Sequence, residues 1–348
     1  MKILITGNLG YVGPGVVKEF RGKYPEAEII GYDLGFFAKY VTNAGIIPES
    51  YLNVQYYGDV REFPGHLLEG VDTVVALAAI SNDPIGNKFE EATLDINYRA
   101  VINIAKMAKK QNVKNFVFAS SCSVYGSAED APRTETSEVN PLTAYARSKV
   151  FTEKELAELA GSDFKVTCHR FATACGMSER LRLDLVLNDF VAGAVTSGGI
   201  TILSDGSPWR PLINVKDMAR AIRWSHEREH SNGGDFLIVN TGSDDWNYMV
   251  KELAERVGQL IPGIDISVNR NAAPDKRSYR VDFGLFKRLA PEHQPIFNLE
   301  TSILDLVQGY KDIGFANKNF RDSEFMRLNV VNDLLQKGIL DKDLRLMK

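Results

Sequence analysis

The fold is decided by the stretch Met1-Lys2-Ile3-Leu4-Ile5-Thr6-Gly7-Asn8-Leu9-Gly10-Tyr11-Val12-Gly13. Its apolar start predicts a short buried strand, and three glycines follow at a spacing of three. Apolar residues then recur at helical spacing, with Pro14 tolerated because it falls in the first helical turn. A strand, a glycine turn and a helix N-terminus together present backbone N–H groups and a positive dipole end to an anion. The stretch therefore predicts a dinucleotide pyrophosphate site. The residues expected to hold the cofactor there are Gly7, Asn8, Leu9, Gly10, Tyr11, Val12 and Gly13.

The next predicted strand indicates which dinucleotide is bound. This strand, residues 27–32, ends at Asp33, twenty residues after Gly13. A carboxylate in this place binds the ribose hydroxyls of adenosine. Because its charge repels a 2′-phosphate, we expect NAD rather than NADP. Asp59 follows a third strand, residues 54–57, and could accept from the adenine amino group, although a loop-capping role suits it equally well.

Composition excludes several classes of protein. Of 348 residues, 44% are hydrophobic and 25% are charged, as in ordinary soluble globular proteins. The net charge is −4 and there is no run of basic residues, so the sequence does not indicate a nucleic-acid-binding surface. No apolar stretch approaches the roughly 18 residues of a membrane helix. Cys122, Cys168 and Cys175 lack metal-ligand spacing, so we expect reduced thiols, no metal site and a cytoplasmic location.

Alternating strands and helices over residues 1–176 predict an α/β fold with a doubly wound, Rossmann-type parallel sheet. The continuous apolar run 71–79 is typical of a strand buried on both faces, and small residues at its end leave room for a cofactor. Long helices are predicted over 88–111 and 142–159.

The alternation breaks down after about residue 176. Residues 177–348 are expected to form mainly a smaller α/β C-terminal lobe that binds substrate. A strand near 235–243 should rejoin the main sheet.

A tyrosine and a lysine four residues apart carry the predicted chemistry. Tyr145 and Lys149 project from the same face of the second long helix. An ammonium beside a phenol favours the phenolate, which would lower the tyrosine pKa toward neutrality. Tyr145 is then a credible acid or base for interconverting a carbinol and a ketone. Lys149 could also bind the nicotinamide ribose, and a serine within 120–123, at the end of a strand, could hydrogen-bond the reacting oxygen.

Taken together, these motifs resemble the extended short-chain dehydrogenases/reductases of the NAD-dependent epimerase/dehydratase group, whose characterised members mostly act on nucleotide sugars. The resemblance covers nearly the whole chain. It implies a catalytic set of Ser121, Tyr145 and Lys149, with Ser123 as the runner-up serine. It also implies cofactor contacts from Asp33, Asp59, Val60, Leu77, Ala78, Ala79, Tyr145 and Lys149, and substrate contacts from Ser121, Ser123, Asn188, Arg210 and Arg277. A planar guanidinium suits the substrate's pyrophosphate, while a surface salt bridge is the plainer role for Arg210.

Departures from the family pattern narrow the reaction. Sugar 4,6-dehydratases have an Asp-Glu pair after the catalytic threonine, where this chain has Cys122 and Ser123. Members that epimerise at C3 and C5 use a cysteine at the place of Ser123. Dehydration and 3,5-epimerisation are therefore disfavoured. Thr173 stands where the family has an asparagine, a departure that bears on the pyrophosphate contacts and not on the reaction.

Chemistry that needs only a hydride and one proton remains. We expect an epimerase that oxidises the sugar transiently, at C4, with NAD held throughout. The alternative is a nucleotide-sugar 4-dehydrogenase or ketoreductase that exchanges NAD(H) at each turnover. A non-catalytic member would be expected to lose Tyr145 or Lys149, and both are present. The expected partners are a nucleotide-diphosphate sugar and a second copy of the chain, joined through the two long helices.

Overall fold

The computed structural model describes residues 1–42, 45–81, 83–127, 131–269 and 277–347. Among these residues the strands are β1 (Lys2–Thr6), β2 (Glu28–Asp33), β3 (Val54–Tyr57), β4 (Thr73–Ala76), β5 (Asn115–Ser121), β6 (Lys165–Phe171), β7 (Thr173–Cys175), β8 (Gly199–Ile202), β9 (Trp209–Asn214), β10 (Phe236–Thr241), β11 (Asn247–Met249) and β12 (Asp265–Val268).

The α-helices of the described residues are α1 (Gly13–Lys23), α2 (Asp83–Lys88), α3 (Glu90–Leu94), α4 (Ala100–Lys110), α5 (Ala144–Leu159), α6 (Val186–Ser197), α7 (Val215–Glu227), α8 (Val250–Leu260), α9 (Gly284–Leu289), α10 (Leu299–Asp312) and α11 (Arg327–Gln336). None of them has both the length and the apolar character needed to cross a membrane.

A seven-stranded sheet organises the described residues, in the order β10-β6-β5-β4-β1-β2-β3. Every neighbouring pair in it is parallel. The central strands are apolar on both faces because helices cover each side, and β4 and β6 are buried along their whole length. The strand order reverses between β1 and β4, which is where an open α/β sheet leaves a crevice for a ligand. The predicted fold class is confirmed.

The first predicted long helix, residues 88–111, is interrupted. The structure has α2, α3, a π-helical turn at Asp95–Arg99 and then α4. Side-chain contacts stabilise the wide turn: the amide of Asn97 bonds both the N–H and the carbonyl of Ile80, at 2.8 and 2.9 Å. The Thr152 hydroxyl of α5 donates to the Asn97 carbonyl. These partners are distant in sequence, so the helical periodicity could not reveal the interruption.

The second half of the chain contributes to both parts of the molecule. A smaller lobe contains the sheet β11-β9-β7, the pair β12-β8 and helices α6, α8 and α10 around a core of their own. In contrast, α7 packs on α1, and β10 pairs with β6 in the main sheet. Val331, Leu340 and Leu344 join the core of the main sheet. Three segments that follow residue 177 therefore pack with the predicted cofactor-binding part.

Candidate active site

The glycine turn fits a dinucleotide pyrophosphate. Gly7 has φ +77°, and a Cβ on it would lie 2.4 Å from the backbone nitrogen of Ala78. A Cβ on Gly13 would lie 2.0 Å from the Asn8 carbonyl oxygen. Only glycine allows these approaches. Helix α1 has no side-chain cap at Val12, so N–H groups of its first turn are available to an anion.

The predicted residues of this turn divide into two groups. Gly7, Gly10, Tyr11 and Val12 line a cavity of about 790 Å³. Others lie behind the turn and brace it: the Asn8 amide donates to Gln55 at 2.5 Å, and the Leu9 N–H donates to Asp33 at 3.1 Å.

Asp33 lines the same cavity at the end of β2. Its two carboxylate oxygens accept from the N–H groups of Leu9 and Gly35, at 3.1 and 2.7 Å. A carboxylate has acceptor sites beyond these two, so Asp33 retains the capacity to bind ribose hydroxyls. Burial raises its pKa, and the two N–H donors oppose that rise.

Asp59 has the loop-capping role that the sequence left open. Its side chain accepts from the Arg61 N–H at 2.9 Å and forms a 2.5 Å ion pair with the Arg61 guanidinium. Asp59 and Val60 line the cavity together with Leu77, Ala78 and Ala79 at the end of β4. The Asp59 carboxylate is thus engaged by Arg61, although the residue borders the cavity.

Helix α5 brings the predicted catalytic pair to the cavity. Thr143 caps the helix by accepting from the Ala146 N–H at 3.1 Å, which fixes where its first turn begins. Tyr145 and Lys149 both line the cavity, and the Lys149 ammonium lies 5.3 Å from the centre of the Tyr145 ring. Lys149 also donates to the Ala119 carbonyl at 2.7 Å. Strand β5 ends beside this pair, and the Ser121 side chain is among the influences that lower the Tyr145 pKa.

The expected drop in the tyrosine pKa is not found. Burial raises the pKa of Tyr145 to about 12, against a smaller lowering by the Ser121 side chain. Burial also lowers the pKa of Lys149 to about 7, with Glu153 opposing the change. Desolvation disfavours both charged forms, and the charges that act most on each group come from residues other than its partner. The prediction that the Lys149 ammonium lowers the Tyr145 pKa toward neutrality is wrong.

The two candidate serines differ in their bonding. Ser121 accepts from the Ser123 N–H at 3.2 Å, and its side chain lowers the Tyr145 pKa. The Ser123 hydroxyl oxygen is buried at the cavity and has no hydrogen-bond partner within the described part of the chain. Buried hydroxyls are normally bonded, so this oxygen fits a ligand that supplies the partner.

Arg210 and Arg277 lie together at the cavity wall. Arg210 donates to the backbone carbonyls of Trp209, at 2.8 Å, and of Arg277. Arg277 forms a 2.5 Å ion pair with Asp83. The two guanidinium groups thus belong to one cluster despite the 66 residues between them in sequence.

Asn188 requires a correction. Its side chain is fully buried and absent from the cavity wall in the described structure. The amide accepts from the Gly176 N–H at 3.0 Å and donates to the Arg182 carbonyl at 2.9 Å. These bonds occupy the amide in holding the start of α6, which goes against contact with a nucleotide.

Arg182 is a cavity residue that the sequence reasoning missed. Its guanidinium is buried, forms two bonds to Asp184 at 2.9 and 3.0 Å, and donates to Ser81 at 3.0 Å. Its positive charge is among the influences that lower the Tyr145 pKa. The only available signal was the alternation of arginine and leucine over 180–183, which has no helical period and matches no motif.

Comparisons with known proteins agree with this geometry. The Bacillus subtilis (strain 168) protein described as uncharacterized UDP-glucose epimerase YtcB is 29% identical over 231 residues, or 64% of this chain and 71% of that protein. UDP-glucose 4-epimerase from Lactobacillus helveticus is 26% identical over 76% of this chain and 83% of its own length. Among solved structures, MoeE5 in complex with UDP-glucose and NAD superposes with a TM-score of 0.75 at 22% identity, covering 90% of this chain and 99% of that one.

A family model covers most of the chain as well. The model of the NAD dependent epimerase/dehydratase family matches residues 3–241, which include the glycine turn, Asp33, Tyr145 and Lys149. The family description makes NAD the cofactor, as the sequence predicted. The chain therefore belongs to the NAD dependent epimerase/dehydratase family.

Proposed function

We propose that this chain is an epimerase of nucleotide-diphosphate sugars that oxidises one sugar carbinol transiently, at C4, and then reduces it from the other face. The proposal depends above all on one observation: Tyr145, Ser121 and Lys149 line the same cavity as the glycine turn and Asp33. Acid–base chemistry and dinucleotide binding thus share one space.

The cofactor would be held at the ends of β1, β2 and β4 and by helices α1 and α5. The α1 N-terminus and Gly10 would take the pyrophosphate, Asp33 the adenosine ribose, and Lys149 the nicotinamide ribose. When bound, NAD would supply the hydride acceptor and donor. The small side chains of Ala78 and Ala79 leave space for the cofactor in the cavity. The Ala78 backbone itself lies so close to the glycine turn that a Cβ on Gly7 would collide with it.

Tyr145 moves the proton at the reacting sugar oxygen. With a pKa of about 12 it is protonated at neutral pH, which is the form that delivers a proton to a ketone oxygen. Formation of the ketone needs the reverse transfer, which nearby positive charge and the Ser121 hydroxyl favour by stabilising a phenolate. Arg210 and Arg277 bind the substrate's pyrophosphate, and Ser123 hydrogen-bonds the sugar.

The test is incubation with UDP-glucose, followed by NMR of the anomeric and H4 signals. The expected result is conversion to the C4 epimer without added NAD and without accumulation of NADH, because the cofactor is regenerated in each cycle. NAD should be recovered after acid denaturation of the purified protein. Stoichiometric release of NADH, dependent on added NAD, would instead identify the dehydrogenase or ketoreductase alternative.

The serines provide a matched pair of variants. Ser121→Ala should lower turnover by about tenfold or more, because the Ser121 side chain lowers the Tyr145 pKa and so favours the phenolate. Ser123→Ala should chiefly raise KM, since its hydroxyl has no bond among the described residues to lose. Steady-state kinetics of both variants measure this. If both substitutions lowered turnover equally, the assignment of Ser121 to catalysis and of Ser123 to substrate binding would be wrong.

We also propose a cytoplasmic homodimer, formed through α4 and α5. These helices pack on each other, and α5 leaves Phe151 39% exposed with its ring 5.6 Å from that of Tyr98. Light scattering should give twice the 38.7 kDa chain mass, and Phe151→Glu should shift it toward the single-chain value.

The division into a cofactor part, 1–176 with 235–243, and a substrate part within 177–348 likewise stays a proposal.

A further inference from the structure

The first residue of α11, Arg327, reaches the cofactor end of the cavity from the far C-terminal part of the chain. It is 3% exposed and lines the cavity. Its guanidinium carbon lies 4.0 Å from the centre of the Phe37 ring, and its Nη2 donates to the Arg180 carbonyl at 3.0 Å. The side chain is thus held in one place by an aromatic ring and a backbone oxygen.

Part of this guanidinium lacks a partner among the described residues. Nη1 of Arg327 is buried and has no hydrogen-bond acceptor in the part of the chain that the structure describes. Buried N–H groups of a cation without acceptors are costly. Because Arg327 lines the cavity, an anion that the cavity receives would satisfy this group. Arg180, which is not among the described residues of the cavity wall, forms a 2.7 Å ion pair with Glu49, and its Nε and Nη1 are buried without described partners.

The surroundings indicate which anion. Phe37, on whose ring the Arg327 guanidinium lies, follows Asp33 by four residues after the end of β2, and both residues line the cavity. Arg327 is therefore at the adenosine end, remote in sequence from the Arg210 and Arg277 cluster. Burial and the neighbouring arginines lower the pKa of Arg327 to about 9, a cost that a bound anion would remove.

We propose that Arg327, supported by Arg180, donates to phosphate oxygens of the dinucleotide's pyrophosphate, so that α11 closes the adenosine end of the cavity. The inference depends on the proposed function only in taking NAD as the bound cofactor. The Arg327 guanidinium packs on the Phe37 ring, so its remaining N–H groups point outward from the edge of the group. Arginine binds phosphate through N–H groups presented in this way. The C-terminal segment, and not only the glycine turn, then retains NAD between turnovers.

The experiment measures binding and not turnover. Arg327→Met keeps the apolar stem and removes the donors, Arg327→Lys keeps the charge, and Arg345→Met removes an exposed guanidinium that pairs with Glu62 outside the cavity wall. Protein freed of cofactor is titrated calorimetrically with NAD, ADP, NADP and UDP, and by NMR with adenosine. We expect Arg327→Met to weaken NAD and ADP by about 10- to 100-fold, Arg327→Lys to weaken them less, and Arg345→Met to leave both unchanged. Adenosine, which has no phosphate, should bind all variants alike.

Each other outcome overturns the assignment. Unchanged affinity for NAD and ADP would exclude a phosphate contact, and an equal loss for adenosine would make Arg327 a wall of the adenosine pocket. A loss confined to NADP would move the contact to the 2′-phosphate, and one confined to UDP would move it to the substrate. If Arg327→Met does not fold, Arg327→Lys decides by the same comparison of ADP with adenosine. Failure of the wild-type protein to epimerise UDP-glucose would leave these binding results standing, so the two proposals fail separately.

Discussion

Replacing Tyr145 with Phe is expected to lower the turnover number by about 10²–10⁴-fold, the usual size of a general acid–base contribution. The change removes one oxygen from a ring that stays packed beside Lys149. NAD affinity and the free energy of unfolding should change little, because Tyr145 lines the cavity and its ring keeps its packing. Initial rates on the substrate, with an NAD titration of the same preparation, measure both effects.

Tyr24, directly after α1, provides a control for the loss of a phenol hydroxyl. Tyr24→Phe removes a hydroxyl that bonds Glu227 at 2.6 Å and is not part of the cavity wall in the described structure. Its turnover should equal that of the wild type. A Tyr145→Phe protein with near-normal turnover would mean that another group carries the proton, and the proposed mechanism would have to be abandoned.

Replacing Lys149 with Met should lower turnover by at least about 10²-fold and weaken NAD binding by about tenfold. One ammonium is proposed to serve both the tyrosine and the cofactor ribose, so both quantities should fall together, unlike in Tyr145→Phe. Rates and calorimetric titrations with NAD test the difference. Loss of turnover with unchanged NAD affinity would remove the ribose contact from the proposal.

The same variant should alter how stability depends on pH. The pKa of Lys149 is about 7 in the folded protein against an ordinary 10.5, so between these values the unfolded chain binds more protons at this site. The Lys149 contribution to the free energy of unfolding therefore rises with pH through this window. Below about pH 7 the wild type carries the full cost of burying the amine, and Lys149→Met should be the more stable protein.

That advantage should shrink as the pH approaches 10. Urea unfolding of both proteins without cofactor, at about pH 6.5 and about pH 9.5, measures the difference. A difference that is independent of pH would show that the Lys149 pKa is not lowered in the folded protein.

Local sequence patterns predicted much of this molecule because the relevant physics is local. A turn that needs Gly7 and Gly13, a carboxylate twenty residues later, and a tyrosine and lysine one helical turn apart can all be identified without knowing the tertiary contacts. The doubly wound parallel sheet could be predicted because parallel strands with helical crossovers have few allowed topologies.

The rest depended on contacts between distant segments. Asn188 has a side chain of the kind that contacts ligands, yet its amide hydrogen-bonds the backbone of Gly176 and Arg182 instead. The pKa of Tyr145 followed its burial and not the spacing to Lys149. Arg327 reaches the cavity only because α11 lies against residues from the first half of the chain. Neither the burial of one side chain nor a contact between segments distant in sequence produces a periodic pattern in a single sequence.

The placement of β10 beside β6 has a consequence for how the chain is made. Residues 172–235 separate the two strands, yet all six positions of β10 pair with β6. During synthesis the earlier strands emerge and assemble first, which leaves β6 as a temporary edge whose seven residues are all buried in the finished protein. A strand edge whose backbone groups are unpaired is a template for aggregation, and closing this long connection is slow. We therefore expect nascent chains that stall before residue 241 to bind holdase chaperones, whereas chains extended past it are released.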